Sequence, residues 1–319
     1  MKKVVTIGGG TGSFNLLSGL KHYDLDITSI VTTFDSGGST GKLRDEFGAL
    51  PAGDVRRALV ALAPIREDQF LRELFQVRFD APDSGLHNHS FGNLLLLAAE
   101  RVTKDRAEGI QELSKLLSIK GRVFPVSVDD AHLRATFTDG SKVTGEAVID
   151  AAEFGGDVAI QSICLTPEAH IYEGAARAIK EAEYIIFGPG DLYTSIIPNT
   201  LVKGFVDALK ESNAKIIFIT NIMSKWGETH GMAAHDHIRA LLSYIEKDMI
   251  DAVFINEGSL KDDVLVRYKE QHKEMVLFDK KEVEKFAKHI VVSNFMSDAD
   301  VARHNSEKVA KAVVTYIES

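Results

Sequence analysis

Cysteine is almost absent. Cys164 is the one thiol in 319 residues, which excludes an intrachain disulfide and a cysteine-based zinc cluster. Its neighbours Ile163 and Leu165 predict a buried strand, in which a thiol is inert packing. No apolar run approaches the roughly 20 residues of a membrane span. The first apolar run is broken at once by glycines, unlike a secretory leader, so the expected location is the cytoplasm. Positive charge is also short: 37 Lys and Arg stand against 46 Asp and Glu, a formal charge of −9. That argues against a dedicated nucleic-acid binder but leaves room for a local basic pocket. Repeats, low-complexity tracts and linker-like stretches are missing, so residues 1–319 read as one domain. Apolar residues at 45% and charged residues at 26% are those of an ordinary globular protein.

The chain opens on Val4-Val5-Thr6-Ile7, a β-branched run that predicts a buried strand. Gly8-Gly9-Gly10-Thr11-Gly12-Ser13 follows, then apolar residues Phe14, Leu17 and Leu20 at helical spacing. A glycine turn between strand and helix lets backbone N–H groups and the positive helix end face an anion, so Gly9, Gly10, Thr11, Gly12 and Ser13 are candidate ligand contacts. Gly8, Gly10 and Ser13 occupy the glycine positions of a G-x-G-x-x-G fingerprint, with serine third. No lysine marks a Walker loop, and a tight turn without a ligand is the alternative. A nicotinamide enzyme is disfavoured by that serine and by the lack of an evident catalytic pair.

Residues Asp26–Phe34 predict a second strand, making a βαβ unit. Behind it Asp35-Ser36-Gly37-Gly38-Ser39-Thr40-Gly41 reads as a polar loop, followed by Lys42 and Arg44, and suits a sugar- or phosphate-bearing ligand. Gly53, Asp54 and Arg56 precede an apolar helix, with Asp54 as its cap and Arg56 opposing the helix dipole. An amphipathic helix is expected over Gln69–Phe79. His87 and His89 open a cluster with Ser90 and Asn93; His89, Ser90 and Asn93 are candidate contacts, Ser90 or Asn93 a candidate N-cap, and a metal would need a third ligand. Short strands over 123–128, 132–138 and 142–148 predict a small antiparallel insertion near 120–150. The strand Tyr184–Phe187 restores the α/β rhythm and ends in Gly188-Pro189-Gly190-Asp191-Leu192-Tyr193-Thr194-Ser195. Strands at 215–220 and 252–255 follow. The predicted fold is therefore α/β, doubly wound and Rossmann-like, with a mostly parallel sheet whose carboxyl-end loops build the crevice.

These motifs resemble, in order and over nearly the whole chain, the YvcK/CofD-like family (UPF0052). The resemblance rests on Gly8–Gly12, Asp35–Arg44, Pro51–Arg56, His89–Asn93, Gly188–Ser195, Asn221-Ile222-Met223 with Gly227-Glu228-Thr229, and Arg303-His304. Its YvcK branch contains UDP-sugar-binding gluconeogenesis or morphogenesis factors. Its CofD branch transfers 2-phospho-L-lactate to the deazaflavin Fo. The Gly-Gly-Ser-Thr-Gly-Lys-Leu-Arg loop and the late Arg-His resemble the YvcK branch. The resemblance implies a regulatory binding protein for a UDP-sugar such as UDP-GlcNAc, without an assigned catalytic residue, and a homodimer. In that reading Gly188, Gly190, Asp191, Tyr193, Thr194 and Ser195 join the glycine loop around the diphosphate and sugar. Asp35, Ser39 and Thr40 contact hydroxyls, and Asn221, Met223, Thr229 and Arg303 close the crevice. Family members carry an Asp-Asp pair at the end of strand two, implied to hold a divalent metal. Here it is Asp35-Ser36, so Asp35 alone of that pair is left for Mg²⁺, which turns the expectation from transfer toward binding.

Overall fold

The Val4–Ile7 run lies in β1 (Lys2–Gly8), with β2 at Leu25–Val31, β3 at Arg122–Pro125 and β7 at Tyr184–Phe187. Further strands are β8 (Lys215–Ile219), β9 (Ile250–Asn256) and β10 (Ala287–Ser293). They form one sheet in the order β10-β9-β8-β7-β1-β2-β3, parallel throughout. The structure, a computed structural model, describes residues 1–64, 70, 73–151, 158–297 and 301–319. A central parallel strand is covered on both faces and needs apolar residues at successive positions. Val5, Ile7, Ile185, Phe187 and Phe218 accordingly enter one core, and Val4, Ile186, Ile217 and Phe254 the other.

Helix α1 (Gly10–Leu20) connects β1 to β2, and α2 (Gly38–Phe47) and α3 (Gly53–Leu62) follow β2. α1, α3 and the helices Arg106–Leu116 and Ser306–Glu318 cover the second core, while Glu173–Glu181, Phe205–Glu211 and Ala234–Ile245 cover the first. This is the doubly wound arrangement expected from the sequence. α1 meets the last helix backbone to backbone: a Cβ on Gly19 would lie 2.1 Å from the Ser306 carbonyl oxygen.

The antiparallel unit is displaced along the chain. β4 (His132–Phe137), β5 (Lys142–Thr144) and β6 (Ile160–Thr166) form a separate sheet in the order β5-β4-β6. The Val123 run, expected in that insertion, is instead the edge strand β3 of the main sheet. Hydrophobic alternation specifies that a strand forms and which side is buried, but not its partner. Cys164 is a second correction: it is exposed, because Ile163 faces the core and the next side chain on a strand points away. The polar loop after β2 is also shorter than predicted. Ser39, Thr40 and Gly41 lie in the first turn of α2, where a Cβ on Gly41 would stand 2.2 Å from the Ser36 carbonyl oxygen. Of the helix expected over 69–79, Gln69 and residues 71–72 lie outside the described residues; Glu73–Gln76 are helical and Arg78 bridges to Ser90.

Candidate functional site

β1 leads to β2 on one side, while β7, its other neighbour, leads to β8 on the opposite side. Loops leaving the carboxyl ends of two such strands diverge and open a crevice. Here those loops are Gly9–Ser13 and Gly188–Ser195. They touch through backbone: a Cβ on Gly12 would lie 2.3 Å from the Pro189 carbonyl oxygen. Asn221, beyond β8, ties to the second loop: its Oδ1 accepts from Gly190 N–H at 3.1 Å. The Gly188–Pro189 bond is cis. The cleft measures about 460 Å³ and is lined by Gly10, Thr11, Gly12, Gly190, Asp191, Ser195, Asn221, Met223 and Arg303. Of the sequence-derived candidates, these nine come together. Asn15, Tyr268, Lys273 and His304 join them. Burial pushes His304 down to about 4, against its bond to the Thr220 backbone, so the ring is neutral at pH 7.

The positive end of α1 is partly occupied by the protein itself. Asp54 does not cap its own helix, α3, as expected; its Oδ1 accepts from Gly10 N–H at 2.8 Å and from Arg57 at 3.1 Å. Burial raises the Asp54 carboxyl, opposed by Arg57 and the Gly10 N–H. The next N–H groups, of Thr11 and Gly12, have no acceptor within a helix and line the cleft. Asp54→Ala should therefore lower stability by about 1 kcal/mol, since it leaves the half-buried Gly10 N–H and the half-exposed Arg57 without their acceptor. Urea denaturation followed by far-UV circular dichroism measures this; an unchanged midpoint would contradict the trans-capping role.

Opposite α1, Lys225 holds three segments together. Its ammonium contacts Asp191 (2.8 Å), Glu228 (3.1 Å) and Asp150, at the end of the helix Glu146–Asp150. Glu228 in turn accepts from Tyr193 N–H (3.2 Å) and the Thr194 hydroxyl (3.1 Å), which anchors the π-turn Leu192–Ile196. Thr229 Oγ1 accepts from Lys225 N–H. Tyr193, Thr194 and Thr229 are thus buried supports of the cleft wall. Among the described residues, Asp150, Asp191 and Glu228 are the one group of three that could converge on a metal, and Lys225 already supplies the positive charge there.

Asp35 stands against the start of α3 and does not line the cleft. Its Oδ1 accepts from Gly37 N–H at 2.8 Å. A Cβ on Gly53 would come within 2.8 Å of Oδ2. Glu146 reaches it from the antiparallel unit: burial, then the Asp35 and Asp150 carboxylates, push Glu146 up to about 8, and it hydrogen-bonds to Asp35. Ser36 Oγ accepts from Ala147 N–H at 3.0 Å, fixing the helix that carries Glu146. A second carboxyl therefore stands beside Asp35 although the adjacent residue is serine. Sequence reasoning missed it because Glu146 belongs to a distant segment.

The His89 cluster is a buried scaffold and takes no part in lining the cleft. Ser39 Oγ lies 3.1 Å from His89 Nδ1, Asn93 Nδ2 donates to Ser39 and Thr40, each at 3.2 Å, and Ser90 is the N-cap of the helix Phe91–Thr103. Gly38 begins α2, and Gly9, Ser13 and Gly188 sit behind the loop surface. Arg44 is buried against Asp130 and the Ala131 carbonyl. Arg56 lines a neighbouring pocket with Arg57 and Arg78. The sequence signal for Lys225 and Glu228 was their place in the Asn221–Thr229 loop; Asp150, Arg78 and Lys273 had none.

The family model described as 2-phospho-L-lactate transferase CofD matches residues 4–296. The gluconeogenesis factor of Halalkalibacterium halodurans is 40% identical over 316 residues, covering 98% of this chain and 96% of its own length. That of Bacillus subtilis is 37% identical over 314 residues, with coverage of 98% and 97%. A crystal structure of a UPF0052-family protein from Bacillus halodurans matches with a TM-score of 0.91 at 38% identity, covering 98% of each chain. With sequence and fold both matched over almost their full length, the chain belongs to the YvcK/CofD-like (UPF0052) family.

Proposed function

We propose that the protein binds a UDP-sugar, of the UDP-GlcNAc type, between the Gly9–Ser13 and Gly188–Ser195 loops, and acts as a regulatory factor in gluconeogenesis and cell shape. One observation carries this reading: the cleft lies at the reversal point between β1 and β7, where the first turn of α1 brings Thr11 and Gly12, whose N–H groups have no acceptor within the helix. Arg303 overlies the same opening and supplies a guanidinium fork suited to a diphosphate. Asn221 and Ser195 offer amide and hydroxyl groups to the sugar. The regulatory role is carried from relatives named gluconeogenesis factors.

A second reading is a CofD-like transfer of 2-phospho-L-lactate to Fo, favoured by the paired carboxyls of Asp35 and Glu146. Two hard oxygen donors side by side, sharing a proton, fit a divalent cation. Asp35 and Glu146 would hold Mg²⁺, which would neutralise phosphate charge.

Titration with UDP-GlcNAc and UDP-glucose, with and without Mg²⁺, tests the first reading. Trp226 reports the event: its ring packs 4.4 Å from His272 and 4.5 Å from His230, next to Lys225. Saturable quenching or enhancement, matched by calorimetry and weakened at least tenfold in Arg303→Ala, is expected. No heat and no fluorescence change would sink it, and metal-dependent turnover of Fo with an activated phospholactate donor would select the second reading.

A further inference from the structure

Behind Arg303 the cleft continues into a pocket of about 500 Å³ lined by Arg56, Arg57, Arg78, Arg303, Thr11 and Gln76, among others. Four arginines line it in a chain of net charge −9. No carboxylate stands among the described residues that line it. Asp54, whose charge acts on Arg56, is already engaged by Gly10 N–H and Arg57. Arg78 donates to the Asn88 carbonyl at 2.8 Å, and the Arg303 guanidinium has no hydrogen bond or ion pair among the described residues.

Arg56 is the built part of this pocket. It is 9% exposed, and its Nη1 donates to the Phe75 carbonyl at 3.0 Å. Its stem runs past Gly92, where a Cβ would come within 2.6 Å of the arginine Cδ. Among the described residues its Nε is buried without a partner. A buried donor left unsatisfied is costly, and a bound anion would satisfy it. Burial, then Arg57 and Arg78, push the Arg56 guanidinium down to about 10. Like charges crowded this closely are relieved by a multivalent anion.

We propose that Arg56, Arg57, Arg78 and Arg303 form a second anion site, adjoining the UDP-sugar cleft, that takes the dianionic phosphate of a small phosphate monoester. Planar guanidinium forks match phosphate oxygens in pairs, which a lysine cluster would not. The volume exceeds that of inorganic phosphate and leaves room for a small organic body. The pocket shares Thr11, Asn15 and Arg303 with the main cleft, so the two ligands sit side by side with Arg303 between them. The site rests on its own residues, and the nucleotide-sugar reading supplies only the identity of the neighbour.

Calorimetric titration of the full chain with inorganic phosphate and with glucose 6-phosphate, at constant ionic strength, tests this with and without saturating UDP-GlcNAc. One phosphate group per chain should bind in both conditions, glucose 6-phosphate more tightly. Arg78→Gln should weaken it at least tenfold while leaving UDP-GlcNAc affinity within about twofold. Arg56→Lys, which keeps the charge and loses the fork, should weaken it similarly; if it does not fold, Arg78→Gln decides. Absence of binding, indifference to Arg78→Gln, or complete displacement by UDP-GlcNAc would overturn the site. Equal affinity for both probes would overturn the monoester assignment. Phosphate binding lost in Arg78→Gln, in a protein that ignores UDP-GlcNAc, would keep the site and remove the nucleotide-sugar reading.

Discussion

Lys225→Met should destabilise the protein by about 3 kcal/mol at pH 8 and by about 1 kcal/mol at pH 5. Burial raises the Glu228 carboxyl to about 7, although Lys225 pulls it down. Its folded value lies above the ordinary 4.5, so its contribution is fully present below that value. It is lost as pH rises through about 7. Burial alone would lower the Lys225 ammonium, but Glu228, Asp191 and Asp150 outweigh it and hold the group above its ordinary value. Its stabilisation is therefore present below pH 10.5 and lost only above that. Removing the ammonium leaves Glu228 to take up a proton at still higher pH. Near pH 5 it is already neutral and the loss is small; near pH 8 the variant must keep a proton on Glu228 that the Lys225 protein gives up, or else bury a carboxylate unpaired beside Asp191 and Asp150. Urea denaturation at the two pH values measures the difference, and a pH-independent loss would refute the assignment. Adding Glu228→Gln should recover part of the loss, because it removes the charge that Lys225 compensates.

Gly12→Ala should lower stability by about 2–3 kcal/mol and remove UDP-GlcNAc binding. The new methyl would meet the Pro189 backbone 2.3 Å away, which no rotamer change can relieve, so the two loops must separate. Gly10→Ala makes the informative comparison. Gly10 has φ +70, yet its nearest contact for a Cβ is Ser195 Oγ at 3.8 Å. The cost there is backbone strain alone, about 1 kcal/mol. Both glycines belong to the same turn, and thermal melts with calorimetry should rank Gly12 well above Gly10. Equal costs would mean that the loops yield and that their close approach does not define the cleft.

The difference between those two glycines separates what the sequence makes legible from what it does not. A glycine turn between an apolar run and a helical pattern is a local signal, so β1, α1 and the β7 loop follow from neighbouring residues. The Ser90 cap was one of two local candidates for the same reason, and its bond to Asn93 N–H confirms it. Strand burial at Val4, Val5 and Ile7 also follows, because a run apolar at successive positions needs cover on both faces.

Tertiary structure alone decided partners and charge states. Asp54 has the local signature of a cap for α3, yet it serves α1 because the main chain brings Gly10 to it. Ser36 stands where the family carries a second carboxyl, and Glu146 supplies a carboxyl group beside Asp35 from another segment. Hydroxyls at Ser39 and Thr40 suited a ligand by composition, but the first turn of α2 buries them against His89 and Asn93. Local periodicity and turn chemistry depend on residues a few positions apart and are written in the sequence itself. The worth of a carboxylate, hydroxyl or guanidinium depends on what displaces its water, and that neighbour is chosen by the topology.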